Sequence, residues 1–218
     1  PQILYNVPGR TSVDMDNDTV ARLAGLDNIT GIKDATGDPA RGRDLVKRCG
    51  DAIAIYSGDD PTAMELMLAG GHGNISVTAN VAPGPMAELC RLAMAGDREG
   101  AERIDRQLSD LNRTLFLEAN PIPVKWALQQ QGLIEGGIRL PLTSLDPAFH
   151  EEVRAAMASA ISAWSRGMDS SSFRTGMTML KSIYNPHPGG PGSGRRPSAA
   201  GPPSNAAPST RSQSRERR

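Results

Sequence analysis

Four short apolar runs, each closing on a polar turn and each followed by a helical pattern, constrain this chain more than any other feature. The runs are Ile3 to Asn6, Ile29 to Lys33, Ala52 to Tyr56 and Gly73 to Val77. Helical periodicity follows near Asp18 to Ala24, from Pro39 to Cys49, after Pro61, where proline suits a first helical turn, and from about Pro83. Strands that alternate strictly with helices pair in parallel, because each crossover helix returns the chain to the same end of the sheet. The expectation is an α/β fold. Beyond the fourth unit only helices are predicted, over Asp97 to Phe116, Ile122 to Gln130 and Pro147 to Trp164, with Pro121 and Pro123 pinning the start of the middle one and Arg139-Leu140-Pro141-Leu142 extended. An eight-stranded barrel takes about 250 residues, so four units amount to half of one. A four-stranded doubly wound domain is the competing fold, but no glycine-rich nucleotide loop follows any of the strands.

The zero net charge hides a division. Residues 1–165 carry 15 Lys and Arg against 22 Asp and Glu, whereas residues 166–218 carry 9 against 2. The second segment, with Pro188-Gly189-Gly190-Pro191-Gly192-Ser193-Gly194 and an arginine-rich end, has too little apolar surface to offset the entropy of ordering it. It is expected to be a disordered tail. Its arginines leave open a chain whose tail binds nucleic acid and whose body is inactive; the preferred reading gives the protein no nucleic-acid partner. Only Cys49 and Cys90 are present, without paired spacing or clustered histidines, which argues against a disulfide framework and a zinc site. No run reaches the roughly 18 apolar residues of a membrane span, and no basic-then-apolar leader opens the chain. A cytoplasmic protein with no membrane contact is expected. The start at Pro1, directly on the first strand, suggests that a segment precedes it.

Chemistry concentrates where the second run ends, in Thr30-Gly31-Ile32-Lys33-Asp34-Ala35-Thr36-Gly37-Asp38. A strand-end lysine is ordinarily a solvated charge or a salt-bridge partner. A desolvated ε-amine, however, loses its proton more readily and condenses with a ketone to a Schiff base. The first run adds Tyr5 and, in the turn after it, Arg10. If both strands share one parallel sheet, a phenol, an amine and a guanidinium gather on one rim, as carbonyl chemistry requires. His72 precedes the fourth strand, at the end away from that rim, and reads as structural. Asp59 and Asp60 stand before a helix and read as caps, since nothing supplies further metal ligands. Met64 and Met67 read as helical core.

Taken together, Tyr5-Asn6-Val7-Pro8-Gly9-Arg10-Thr11, Gly31-Ile32-Lys33-Asp34-Ala35-Thr36-Gly37, Ser57-Gly58-Asp59-Asp60, Gly70-Gly71-His72-Gly73-Asn74-Ile75-Ser76-Val77, Asn120-Pro121-Ile122-Pro123-Val124-Lys125 and Arg139-Leu140-Pro141-Leu142 resemble, in order, the C-terminal half of the dihydrodipicolinate synthase family. That family belongs to the pyruvate-dependent class I aldolases, which include N-acetylneuraminate lyase. The likeness covers roughly residues 1 to 164. It implies a (β/α)8 TIM barrel represented by its last four β/α units over residues 1–96, a C-terminal helical region over 97–165, and then the tail from 166 to 218. It also implies that Lys33 attacks pyruvate, that Tyr5 relays protons, and that Arg10 holds the carboxylate of L-aspartate 4-semialdehyde. Gly58 would let the backbone approach the site, and the Ile75 carbonyl would face the lysine nitrogen.

The implied activity is 4-hydroxy-tetrahydrodipicolinate synthesis, a lyase step toward diaminopimelate and lysine, with no cofactor and no metal. The full-length family forms homo-oligomers, typically tetramers. N-acetylneuraminate lyase or a 2-keto-3-deoxy sugar acid aldolase would keep Lys33 and Tyr5 and differ in the second substrate. The family's paired threonines, the tyrosine lent by a neighbouring subunit and the lysine feedback site fall in the half without a counterpart here. The chain alone is therefore expected to be inactive.

Overall fold

The computed structural model describes residues 1–166, so the expectation for the tail lies outside the described residues. Four strands, β1 (Gln2–Asn6), β2 (Ile29–Asp34), β3 (Ala54–Ser57) and β4 (Gly73–Asn74), form one parallel sheet in the order β1-β2-β3-β4. Sequential order matters, because a doubly wound sheet reverses its strand order at a switch point and this one does not. The competing fold is thereby set aside.

Helices α1 (Pro8–Thr11), α2 (Asn17–Leu23), α3 (Pro39–Cys49), α4 (Ala63–Leu68) and α5 (Pro83–Met94) alternate with the strands. Their starts follow local chemistry. Asp16 accepts from the Thr19 amide, and Asp38 accepts from the Ala40 and Arg41 amides with Pro39 behind it, so free N–H groups of the first turns are satisfied. Three helices complete the body: α6 (Arg98–Thr114), capped by Asp97, α7 (Ile122–Gln130) and α8 (His150–Arg166).

Alternation along the strands sends successive side chains to opposite faces. Leu4, Ile32 and Ile55 are register partners and pack on the helix side with Val20, Leu45, Cys49 and Leu66. A second, larger apolar cluster runs from Ala63 to Ala160 through α4 to α8 and takes in Met67, Leu89, Leu108, Leu111 and Val153, with Met64 packed against it. Each such Leu or Val contributes about 1.5–3 kcal/mol by leaving water. Cys49 is buried and Cys90 half-buried, both are free thiols, and burial pushes both above the usual thiol range.

The structure departs from the sequence-based reading in several places. Arg139–Leu142, expected extended, turns, with the Leu142 amide donating to the Arg139 carbonyl at 3.2 Å. Pro147 opens a 3-10 turn, Pro147–Phe149, before α8 begins at His150. The short α1 follows β1 directly, where a turn is expected. Pro61 opens a 3-10 turn, Asp60–Thr62, before α4 begins at Ala63. The fourth strand ends at Asn74 instead of Val77. The last has a clear cause: the Asp60 carboxylate accepts from the Val77 and Thr78 amides at 3.0 and 2.9 Å, turning the chain into a 3-10 turn, Thr78–Asn80.

Candidate active site

The side of the sheet away from the helices carries two rows of register partners, Ile3, Gly31 and Ala54 and, nearer the strand ends, Tyr5, Lys33, Tyr56 and Gly73. Neighbouring parallel strands place partners of one row side by side on one face. Lys33 Nζ consequently lies 4.5 Å from the centre of the Tyr5 ring. Among the described residues it makes no ion pair and no hydrogen bond, and the ring face is what its charge meets. An ammonium over an exposed phenol ring gains about 0.5–1 kcal/mol, too little to lock the side chain. Tyr5 itself is 48 % exposed, and Ile3, one turn of the pleat below, 51 %. The face is open at Tyr5 and Ile3.

Gly58, just past β3, is beneath the lysine. A Cβ there would meet Lys33 Cε at 2.7 Å, Ala35 Cβ at 2.8 Å and Lys33 Cγ at 2.9 Å, distances that no side chain tolerates. Glycine at this position is what leaves room for the lysine stem. Its amide donates to the Asp34 carbonyl at 2.7 Å, as the Ala35 amide does to Asn6 and the Ile75 amide to Ser57. These three bonds continue the sheet ladder past the strand ends. They hold Ile75 next to the tip of β3; among the described residues no hydrogen bond joins its carbonyl to Lys33.

Arg10 sits on α1, exposed, with Nη2 donating to the Asn120 carbonyl at 3.3 Å. The structure thus unites Tyr5, Lys33 and Gly58 and keeps Arg10 at the rim, tied to the loop before α7. A guanidinium has five N–H donors, so this one bond leaves a fork available for an anion.

The remaining sequence candidates are structural. His72 Nδ1 accepts from the Ile55 amide at 3.1 Å, and its own amide donates to the Ile55 carbonyl at 2.7 Å, so it is spent on the sheet one row before that of Lys33, toward the strand starts. It lines a hollow of about 480 Å³ there with Asp27, Asp51 and Ala54. Asp59 occupies a cap position but bonds the Thr62 hydroxyl, at 2.7 Å, in place of a backbone amide. Asp60 serves a different element altogether, as described above. Tyr56 is a member of the row that motif reading does not single out. Its ring rests 3.5 Å from where a Gly31 Cβ would stand, and strand register is the signal that finds it.

Residues 1–160 match the Dihydrodipicolinate synthetase family, and the chain belongs to that family. It is 66 % identical over 160 residues to the 4-hydroxy-tetrahydrodipicolinate synthase of Thioalkalivibrio sulfidiphilus, a match covering 73 % of this chain and 54 % of that protein. Against the synthase of the same name from Stutzerimonas stutzeri the identity is 63 % over 157 residues, covering 72 % and 54 %. Among solved structures, a chloride-inhibited dihydrodipicolinate synthase from Acinetobacter baumannii complexed with pyruvate is 56 % identical with a TM-score of 0.72, covering 73 % of this chain and 55 % of that one. The Aquifex aeolicus dihydrodipicolinate synthase is 40 % identical with a TM-score of 0.70, covering 72 % and 54 %. These likenesses imply the TIM-barrel fold for the parallel sheet. The chain spans about half the length of the curated relatives it matches.

Proposed function

We propose that this chain supplies the Schiff-base half of a 4-hydroxy-tetrahydrodipicolinate synthase, its sheet forming the last four β/α units of a (β/α)8 barrel. The observation that carries the reading is the unpaired Lys33 amine set over the Tyr5 ring on the open face of the sheet. In this reading the neutral Lys33 amine adds to C2 of pyruvate and the carbinolamine loses water to give an imine. Removal of a C3 proton leaves an enamine, whose carbon attacks the aldehyde of L-aspartate 4-semialdehyde. The semialdehyde's own amine then displaces Lys33 from C2 as the ring closes. Tyr5 moves protons in the first and last of these steps, within reach of the amine it touches. Arg10, at the rim, takes the semialdehyde carboxylate as a forked pair of bonds. Gly58 gives the lysine room, and Ile75 walls the site beside the tip of β3.

The division at residues 96 and 97 belongs to the same proposal, with units of the barrel before it and the C-terminal helices after it. So does assembly into a homo-oligomer once the barrel is closed. Alone, residues 1–165 would leave β1 and β4 with unpaired edges and the reacting row facing water, and no turnover is expected of them. A sugar-acid aldolase would keep Lys33 and Tyr5, but Arg10 within Pro8-Gly9-Arg10-Thr11 and the names of the relatives favour the semialdehyde.

The test is a side-by-side assay of two aldehydes, with this chain joined to the other half of a relative's barrel and pyruvate held constant. Faster condensation with aspartate semialdehyde than with N-acetylmannosamine is expected. Preference for the sugar would overturn the substrate assignment while leaving the Schiff base standing.

A further inference from the structure

Tyr5 and Lys33 are each followed by a polar residue whose side chain turns to the helix side of the sheet. These residues, Asn6 and Asp34, are again register partners, and both are buried, at 2 % and 6 % exposure. Asp34 Oδ1 accepts from Asn6 Nδ2 at 3.1 Å and from Arg41 Nε at 3.0 Å, while Oδ2 accepts from the Thr36 hydroxyl at 2.6 Å. Asn6 spends its other capacity on the loop between α1 and α2, donating to Asp14 at 2.8 Å and accepting from the Met15 amide at 3.0 Å. Arg41, reaching in from α3, pairs with Asp14 at 3.4 Å and donates to the Met15 carbonyl. Three side chains thus tie together β1, the loop after α1, β2, the turn after β2, and α3.

Stability alone is a poor reason for this arrangement. A buried ion pair pays a desolvation cost that apolar packing avoids, and similar volumes of Leu or Met hold a core at least as well. What the polar set adds is direction. The planar fork of Arg41 fixes three acceptors at once, and the two strands it braces are held one residue beyond the amine and the phenol. None of the three side chains makes a hydrogen bond or ion pair with Tyr5 or Lys33, and the route to them is the backbone of Asn6 and Asp34.

We infer that Asn6, Asp34 and Arg41 form a positioning clamp that sets the Lys33 amine over the Tyr5 ring; the inference rests on the reading of that pair as the reacting groups. A displacement of about 1 Å in a reacting group costs on the order of 100-fold in rate. The clamp lies where slippage between the two strands would produce such a displacement.

The experiment uses the 218-residue chain with its lysines dimethylated by 13C-formaldehyde and followed by NMR. The ring current of Tyr5 should displace the Lys33 methyl signal upfield, and Tyr5→Leu identifies that signal. In Arg41→Met and Asp34→Asn the displacement is expected to vanish, while the Lys47 and Lys125 signals and the circular dichroism stay as they were. A folded Arg41→Met chain that keeps the displacement overturns the clamp. Should Arg41→Met not fold, Arg41→Lys decides in the same way, because it keeps a charge beside Asp34 and lacks the fork. This readout needs no chemistry. Failure of pyruvate and borohydride to mark Lys33 in the joined barrel would refute the Schiff-base reading, whereas marking that survives with an unchanged methyl signal in the variants would refute the clamp alone.

Discussion

The two faces of one four-stranded sheet follow opposite rules. On the helix side, Leu4, Ile32 and Ile55 stand in register within an apolar cluster, and Ile32 and Ile55 are fully buried. On the other side, in the neighbouring row of the same strands, Tyr5, Lys33 and Tyr56 stand on an open surface. Alternation alone creates the difference, since each strand gives one residue to packing and the next to the open face. The lesson is that the open row borrows its rigidity from its neighbours in sequence. A lysine with one weak contact is held in place by what Ile32 and Asp34 do on the far side.

The strongest way to break this comparison is to truncate both faces. Ile55→Ala should lose about 2–5 kcal/mol in urea unfolding, as large-to-small changes in a closed core do. Ile3→Ala, on the open face, should cost no more than about 0.5 kcal/mol. Equal losses would mean that the open face is packed in solution.

Next in size is Gly58→Ala. The added methyl would overlap Lys33 Cε and Ala35 Cβ, so the lysine stem must move. In the joined barrel, borohydride labelling by pyruvate is expected to slow on the order of 100-fold. Gly25→Ala, whose methyl would sit in ordinary contact with the Arg22 carbonyl at 3.5 Å, should not slow it. Unchanged labelling in Gly58→Ala would show that the stem has space the structure does not reveal.

The smallest effect concerns Asp105 on α6, far from the reacting row. Burial raises its pKa above the ordinary 3.8, with Glu65 and Glu102 adding to the rise and Arg106 opposing it. The folded chain therefore holds this proton more tightly than the unfolded chain. Its contribution is fully present below pH 3.8 and is lost as pH rises through the raised value. Asp105→Asn should match the parent in acid and exceed it in stability at neutral pH, where the parent must hold the carboxylate ionised in its buried place. A constant difference across that range would assign the effect to packing.

Much of this was legible in the chain because its signals are local. Pro39 and Cys49 bound a helix in both sequence and structure, as do Ile122 and Gln130, because prolines and caps act within one turn. Lys33, Tyr5 and Gly58 could be named from motifs that resemble a family. Long-range chemistry was harder to see. The β-branched Ile75 and Val77 read as strand, and only the carboxylate of Asp60, 17 residues before Val77, explains why the strand stops. Asn6 and Asp34 lie inside motifs read for their neighbours and Arg41 lies in none, and their meeting depends on strand register and on the reach of α3 across to β2. Tyr56 joins the row for the same reason.

The central claim is that Lys33 is the amine that takes pyruvate. In the joined barrel, pyruvate followed by borohydride should add a stable mass to the peptide containing Lys33, and Lys33→Arg should abolish the addition, because a guanidinium stays protonated and forms no imine. Mass on the peptide of Lys47 or Lys125, with that of Lys33 unmodified, would contradict the account.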